Sequence, residues 1–403
     1  MQQDIKSKFI PGKTRIKYGG AVVDDRELKA IQRVLDRNWW TLDEEGRLFE
    51  EELAKASSVR YALFANSGSS ALLLAISSLM LPEGSEVIIP AVNFPTVASA
   101  CLYNGLIPVY VDVDINSLCI DLDKAEKAVT KNTKAIVVVN IAGNTIDISR
   151  LEKFKRLGII TILDNCDGFG STYKKKYVES YFDVSATSFH AAHIITTGEG
   201  GALFTNSKVY YKSAKSIREW GRADETDAID VAKKAGLPKD YPGRYTYITK
   251  GFNLKPIELQ AAMGRVQLKK IEKIKKARLE NYSLLAKGVR SKSLPFIIST
   301  SPINTEISWF AFPMTLEQSD IRGNLRKFLE EKNIETRVIF AGNIIRQPAY
   351  KNTKYKKYGL LENADKVLKD SFFISVHPSV TKKMVSYILV SLENFFSKNE
   401  RLR

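Results

Sequence analysis

Apolar and polar positions recur along this chain with two different periods, and the switches between them predict its architecture. Residues 24–37 place Leu28, Ile31 and Leu35 on one face at helical spacing, and 49–55 continue as a second short helix. From about Tyr61 the apolar runs shorten to strand length, at 61–65, 86–90, 108–113, 134–139 and 159–163, with helix-like runs such as 71–80 between most of them. This alternation predicts right-handed βαβ units and a mainly parallel sheet. Two more strand-like runs, 184–189 and 202–205, bracket a glycine-rich turn.

Beyond residue 268 the pattern changes again. Ile271, Ile274, Leu279, Tyr282 and Leu285 recur at roughly helical spacing through 269–290, which predicts one long helix with its many charges on the outer side. Runs at 308–316 and 334–340 predict strands, and 321–332 and 382–396 predict helices. The whole reads as an α/β protein in two domains. Residues 1–270 would form a large domain with N-terminal helices, and 271–403 a linking helix with a smaller C-terminal α/β domain. The polar stretch 223–242, with Gly236, Pro238 and Pro242, predicts a long surface loop.

Composition supports two cores and narrows the function classes. At 403 residues and 44% hydrophobic content, the chain exceeds one ordinary core. The first eight residues lack an apolar leader core, and the longest apolar run, 71–81, is broken by serines and too short to span a bilayer. A soluble cytoplasmic protein without membrane insertion is expected. Cys101, Cys119 and Cys166 are too few and scattered for a disulfide framework or a thiolate metal cage, so no metal site is expected. The formal charge of +16 suits an anionic partner. Its basic groups at 174–176, 269–276 and 354–357 lack the interleaved aromatics of a single-strand binder, which argues against nucleic acid.

Candidate chemistry collects at the ends of the predicted parallel strands, where ligands of such sheets bind. Asn66-Ser67-Gly68-Ser69-Ser70 precedes an apolar helix and lacks the nucleotide-triphosphate and dinucleotide glycine patterns, so a single phosphate would suit its helix N-terminus. An ordinary N-cap by Ser67 or Ser69 is the plainer alternative. Phe94 ends the next strand and could lie flat against a planar ring or fill the core. Asp164 follows four apolar residues and would be buried in need of a partner such as a ring N–H⁺; nearby Asp167 could serve as an N-cap. Of only three histidines, His190, His193 and His377, two lie in the turn from Ser188 to Gly201.

With these pieces in order, the sequence resembles the DegT/DnrJ/EryC1/StrS group of nucleotide-sugar aminotransferases, fold-type I pyridoxal-phosphate enzymes of the aspartate-aminotransferase kind. The resemblance rests on Ser67-Gly68-Ser69-Ser70-Ala71-Leu72, Phe94-Pro95-Thr96, the segment 108–114, Asp164 with Asp167 and Gly170, Ser188-Phe189, Gly198-Glu199-Gly200-Gly201-Ala202 and Gly251-Phe252-Asn253-Leu254-Lys255. It implies that Gly68, Ser69 and Ser188 hold the cofactor phosphate, that Phe94 stacks on the pyridine ring and that Asp164 pairs with the ring nitrogen. Asp167 stands where these aminotransferases usually carry a glutamine near the ring hydroxyl. Asn253 would reach the phosphate held by a partner subunit, which implies a homodimer with shared sites.

One departure redirects the reading. The family places its cofactor-bonding lysine five residues after the serine of Ser-Phe; here that position is His193, and no lysine occurs between Lys176 and Lys208. A histidine there marks the sugar 3-dehydratase branch, which the chain also resembles at Trp220-Gly221-Arg222, Tyr245-Thr246-Tyr247 and residues 340–348. The CDP-sugar type of that branch holds a [2Fe–2S] cluster on cysteines, and 222–243 contains no cysteine. The resemblance is therefore to the cluster-free, colitose-pathway type. It implies pyridoxal and pyridoxamine phosphate, a 4-keto-6-deoxy nucleotide-diphosphate sugar losing its C3 hydroxyl, glutamate as the amine source, and His193 as general base. Arg337 and Arg346 are candidates for a phosphate or carboxylate. A reductase-coupled deoxygenase, an altered sugar aminotransferase and a cofactor-binding non-enzyme remain the alternatives.

Overall fold

The computed structural model describes residues 9–398; residues 1–8, read above as lacking a leader's apolar core, lie outside the described residues. Eight strands form the main sheet, in the order Tyr61–Ala65, Gly201–Thr205, Val184–Ser188, Ile160–Asp164, Thr133–Val139, Glu86–Pro90, Ile107–Val111 and Lys356–Lys357. From Val184–Ser188 to the Lys356–Lys357 edge all neighbours are parallel; only the pairings of Gly201–Thr205 are antiparallel. The expected parallel sheet is present, and each of the seven strands foreseen for it lies within two residues of its expected bounds.

The continuous apolar runs arise because both faces of the sheet are covered. Val87, Ile89, Tyr110 and Val137 belong to the cluster on one face, while Ile88, Val109, Val111, Ile136 and Val138 belong to the cluster on the other. Side chains of period two therefore serve two cores at once. A separate apolar cluster, with Leu285, Phe312, Leu325, Phe372, Ile388 and Phe396, surrounds the three antiparallel strands Phe296–Ile298, Ala311–Leu316 and Ser371–Ser375.

Four expectations are corrected. Helix Asp25–Asp36 begins in a capping box of Asp24 and Glu27, and it buries Glu27, Ala30 and Val34 rather than the Leu28 face, Leu28 being 62% exposed. Residues 334–340 form no ladder: Ile334 bridges to Ile16 and Arg337 to Phe373 as isolated contacts. The loop 223–242 contains a helix, Ala228–Lys234, whose Ala228 and Ala232 are buried one turn apart. Helix Ile271–Ser291 does not keep all its charges outward. Lys275 and Arg278 are buried along it, beside Ile274 and Tyr282.

Glu258 performs a capping role at long range. Helix Glu44–Ala56 has no side-chain cap of its own, and the buried Glu258 carboxylate instead accepts from the amides of Asp43 (2.7 Å), Glu45 (2.8 Å) and Gly46 (2.9 Å). An anion at a helix N-terminus satisfies donors that have no intrahelical partner. Glu258→Ala is expected to cost on the order of 3 kcal/mol, read as a lowered urea midpoint. An unchanged midpoint would remove this role.

Candidate active site

Five of the strands that run in the parallel direction end on one cavity of about 410 Å³, Thr133–Val139 contributing Val139 and Asn140. Its walls include Ser67, Gly68 and Ser69 after Tyr61–Ala65, Phe94 after Glu86–Pro90, Asp164 and Asp167 at the end of Ile160–Asp164, and Ser188 with His190 and His193 beyond Val184–Ser188. The lid side is apolar, formed by Phe310, Val338, Phe340 and Phe373.

At one end lies the N-terminus of helix Gly68–Ser77. Ser67 is its N-cap and accepts from the Ser70 amide at 3.0 Å, so the capping reading holds for Ser67. Ser69 is left to line the cavity, its Oγ 3.0 Å from Thr96 Oγ1. A Cβ built on Gly68 would lie 2.5 Å from Ser188 Cβ, so glycine alone lets the helix end and Ser188 close around a small anion.

Phe94 is 51% exposed despite its place at a strand end, and its ring meets Phe340 edge to face at 6.1 Å. An apolar ring open to a cavity offers a stacking surface. Asp164 is buried, accepts from the Cys166 amide at 3.1 Å and forms no ion pair among the described residues. Burial pushes its carboxyl up, with the Cys166 contacts opposing. A buried carboxylate facing a cavity in this condition suits a cationic ring N–H.

His193 sits across from Asp167. Its Nε2 lies 3.6 Å from Asp167 Oδ1, longer than a hydrogen bond. Burial, then the neighbouring His190, pushes the imidazole down to about 3, so it is neutral near pH 7 and the contact is not an ion pair. Its Nδ1 is buried with no partner of ordinary geometry, though the Ser188 main chain acts on the ring as an acceptor. Burial pushes Asp167 up to about 7, with the Ala142 amide, 3.0 Å from Oδ2, opposing.

Sequence reasoning placed Gly68, Ser69, Phe94, Asp164, Asp167, Ser188, His193 and Arg337 on elements that the fold brings to one cavity. Two other residues fall outside its lining. Asn253 is exposed, with Oδ1 accepting from Lys255 Nζ at 2.9 Å, and Arg346 closes its fork on Asp365 at 3.0 and 2.6 Å. His377 is also away from the cavity, with Nδ1 2.7 Å from Ser379 Oγ.

Tyr18, Asn140, Glu199 and the apolar lid were not foreseen as cavity residues, and His190 was not placed there either. His190 Nε2 stands 3.9 Å from Glu199 Oε1 at the opening. Arg337 lies over the Tyr18 ring, 4.4 Å from its centroid, and its Nη2 is 2.6 Å from Glu335 Oε1. The scarcity of histidine was a usable signal for His190. Tyr18, in a polar lead without periodicity, gave none.

An α/β sheet that brings a helix N-terminus, an open aromatic and a buried carboxylate from separate strand ends to one cavity defines a fold-type I enzyme built for a phosphorylated pyridine ring. The chain belongs to the DegT/DnrJ/EryC1/StrS aminotransferase family, whose model matches residues 22–393. It is similar to the lipopolysaccharide biosynthesis protein RfbH of Salmonella typhimurium, 36% identical over 97% of this chain and 94% of that protein. It is also similar to the dTDP-4-dehydro-2,6-dideoxy-D-glucose 3-dehydratase of Saccharopolyspora spinosa, 35% identical over 97% of this chain and 88% of that one. Among solved structures it matches a GDP-4-keto-6-deoxymannose-3-dehydratase carrying a trapped PLP-glutamate geminal diamine, with TM-score 0.85, 28% identity, and coverage of 94% and 100%.

Proposed function

We propose that this protein is a pyridoxal/pyridoxamine-phosphate-dependent dehydratase that removes the C3 hydroxyl of a 4-keto-6-deoxy nucleotide sugar. Glutamate is its amine source. The observation that carries this reading is a largely buried His193 where the family keeps a lysine, in the wall of a cavity also lined by Gly68, Ser69, Ser188, Phe94 and Asp164. The 3-dehydratases among its relatives, one of them with PLP and glutamate bound, support it.

When bound, the cofactor supplies an amine to meet the sugar's ketone and a ring able to take up an electron pair. The chain's residues do the rest. Gly68, Ser69 and Ser188 hold the phosphate, Phe94 covers one ring face, and Asp164 keeps the ring nitrogen protonated. His193 Nε2, the ring nitrogen on the Asp167 side, is the atom placed to accept a proton. Asp167, 3.6 Å away, then faces the imidazolium and stabilises it. Phe310, Phe340 and Phe373 exclude water, and Arg337 stands where an anionic group of sugar nucleotide or glutamate can reach it. Arg346 remains a weaker candidate for the same task.

The working form is a homodimer with shared sites. Asn253 lies outside its own chain's cavity on an exposed segment with Tyr247, Ile248 and Phe252, which suits a residue that serves a second copy. A reducing cytoplasm fits three free cysteines, two of them buried. No helix among the described residues is long and apolar enough to cross a membrane.

The test is turnover of 4-keto-6-deoxy nucleotide sugars with PLP and glutamate, followed by mass spectrometry. The expected product has lost one oxygen atom, with ammonia and 2-oxoglutarate released together. An amino sugar that keeps its C3 oxygen would return the chain to transamination. Turnover only with an added reductase would favour the reductase-coupled deoxygenase.

A further inference from the structure

Among the described residues Arg278 is the largest fully buried side chain, 1% exposed on helix Ile271–Ser291, and it forms no ion pair there. Its guanidinium donates only to main-chain carbonyls: Nη1 to Phe310 (2.7 Å) and Trp309 (3.4 Å), Nη2 to His193 (3.4 Å). A buried cation without a carboxylate is costly to keep, and an apolar side chain of similar volume would stabilise the core as well or better.

The contacts around it close a ring. His193 Nε2 faces Asp167 Oδ1 at 3.6 Å, and Asp167 Oδ2 accepts from the Ala142 amide at 3.0 Å. The Ala142 carbonyl accepts from the Phe310 amide at 3.0 Å, the Phe310 carbonyl from Arg278, and Arg278 also donates to the His193 carbonyl. The Phe310 ring lies edge to face on the imidazole, 5.4 Å between centroids. Arg278 is absent from the cavity lining, yet it ties the main chain of His193 to Phe310, whose amide in turn bonds Ala142, the residue that anchors Asp167. We propose that Arg278 is the positioning residue of the active-site imidazole, setting where His193 stands relative to Asp167.

Its charge acts in the same direction as its hydrogen bonds. The groups facing His193 are Asp164 and Asp167 beyond the strand Ile160–Asp164, His190 on its own loop, and Arg278 from the helix beneath. Burial first and His190 next hold the imidazole low, and Arg278 adds to them; it also helps hold His377 down, behind burial. Replacing Arg278 by an apolar side chain takes away the cation and the main-chain tie, and loss of the cation raises His193.

The experiment uses the full chain with Arg278→Met and Arg278→Lys. With three histidines in the protein, imidazole NMR resolves each. Wild-type His193 is expected to stay neutral from pH 8 to 5. In Arg278→Met its midpoint should rise, by up to about one pH unit, with His377 following. In dehydration assays, kcat should fall about 10- to 100-fold with KM for the nucleotide sugar within about 2-fold of wild type, because only the base is misplaced. The kcat arm rests on the function proposed above; the NMR arm does not, so the two can fail separately.

Should Arg278→Met not fold, Arg278→Lys decides. One ammonium cannot replace a fork that spans three carbonyls, so the same split between kcat and KM is expected. A His193 signal and kcat that match wild type in a folded variant would overturn the proposal. So would failure of both variants to fold, which would assign Arg278 to the fold alone.

Discussion

Replacing His193 with lysine is expected to lower dehydration by about 10²- to 10⁴-fold, the span a positioned general base contributes. The physical argument starts from burial. His193 is held near 3, so near pH 7 the imidazole is neutral and its proton-accepting form is fully available. A lowered value means that His193 becomes charged only far below neutrality, so activity should not fall through its protonation between pH 8 and 5 in the free enzyme. A lysine amine there would bond to the cofactor's aldehyde and cease to be a free base. His193→Lys should therefore retain cofactor more firmly while losing turnover. Dehydration at wild-type rates in this variant would show that the imidazole is not the base.

The second large effect is expected at Asp164. Asp164→Asn keeps the shape and the Cys166 amide contact but removes the charge facing the ring nitrogen. Breaking one partner of a buried pair costs about 3–5 kcal/mol, or roughly 10²- to 4×10³-fold in cofactor affinity or turnover. Equilibrium binding of pyridoxamine phosphate to the purified variant reads this directly. Asp164→Glu should not restore it, since a longer acid at the same strand end displaces the ring. Wild-type affinity in Asp164→Asn would mean that the carboxyl is neutral in use and that ring-nitrogen pairing is not its role.

Much of the fold was legible because its strands are buried on both faces. Runs such as residues 135–139, the buried part of Thr133–Val139, must then be apolar at consecutive positions, a pattern that surface segments rarely imitate. The site was legible for a related reason: glycine at 68, an acid after four apolar residues at 164 and histidines in a glycine-rich turn are all costly choices unless a ligand repays them. Family resemblance then gave each its expected role.

What escaped did so on physical grounds. The segment 334–340 has strand-like composition, but Glu335 and Arg337 are committed to each other and to Tyr18, and isolated bridges replace a ladder. Helix Ala228–Lys234 lay among glycines and prolines that predict loop, and its two small alanines give little periodic signal. Arg278 was hidden most completely. It occurs in a basic stretch where neighbours such as Lys273 and Lys276 are ordinary candidates for solvent, and only the carbonyls of residues 309, 310 and 193, far off in sequence, draw it inward.

The most direct test of the central claim is borohydride reduction of the wild-type protein loaded with pyridoxal phosphate, followed by peptide mass spectrometry. No residue of the wild-type chain is expected to keep the cofactor, while His193→Lys is expected to keep it at position 193 and nowhere else. A reduced cofactor found on any lysine of the wild-type chain would contradict the assignment of His193 as a base that acts without one.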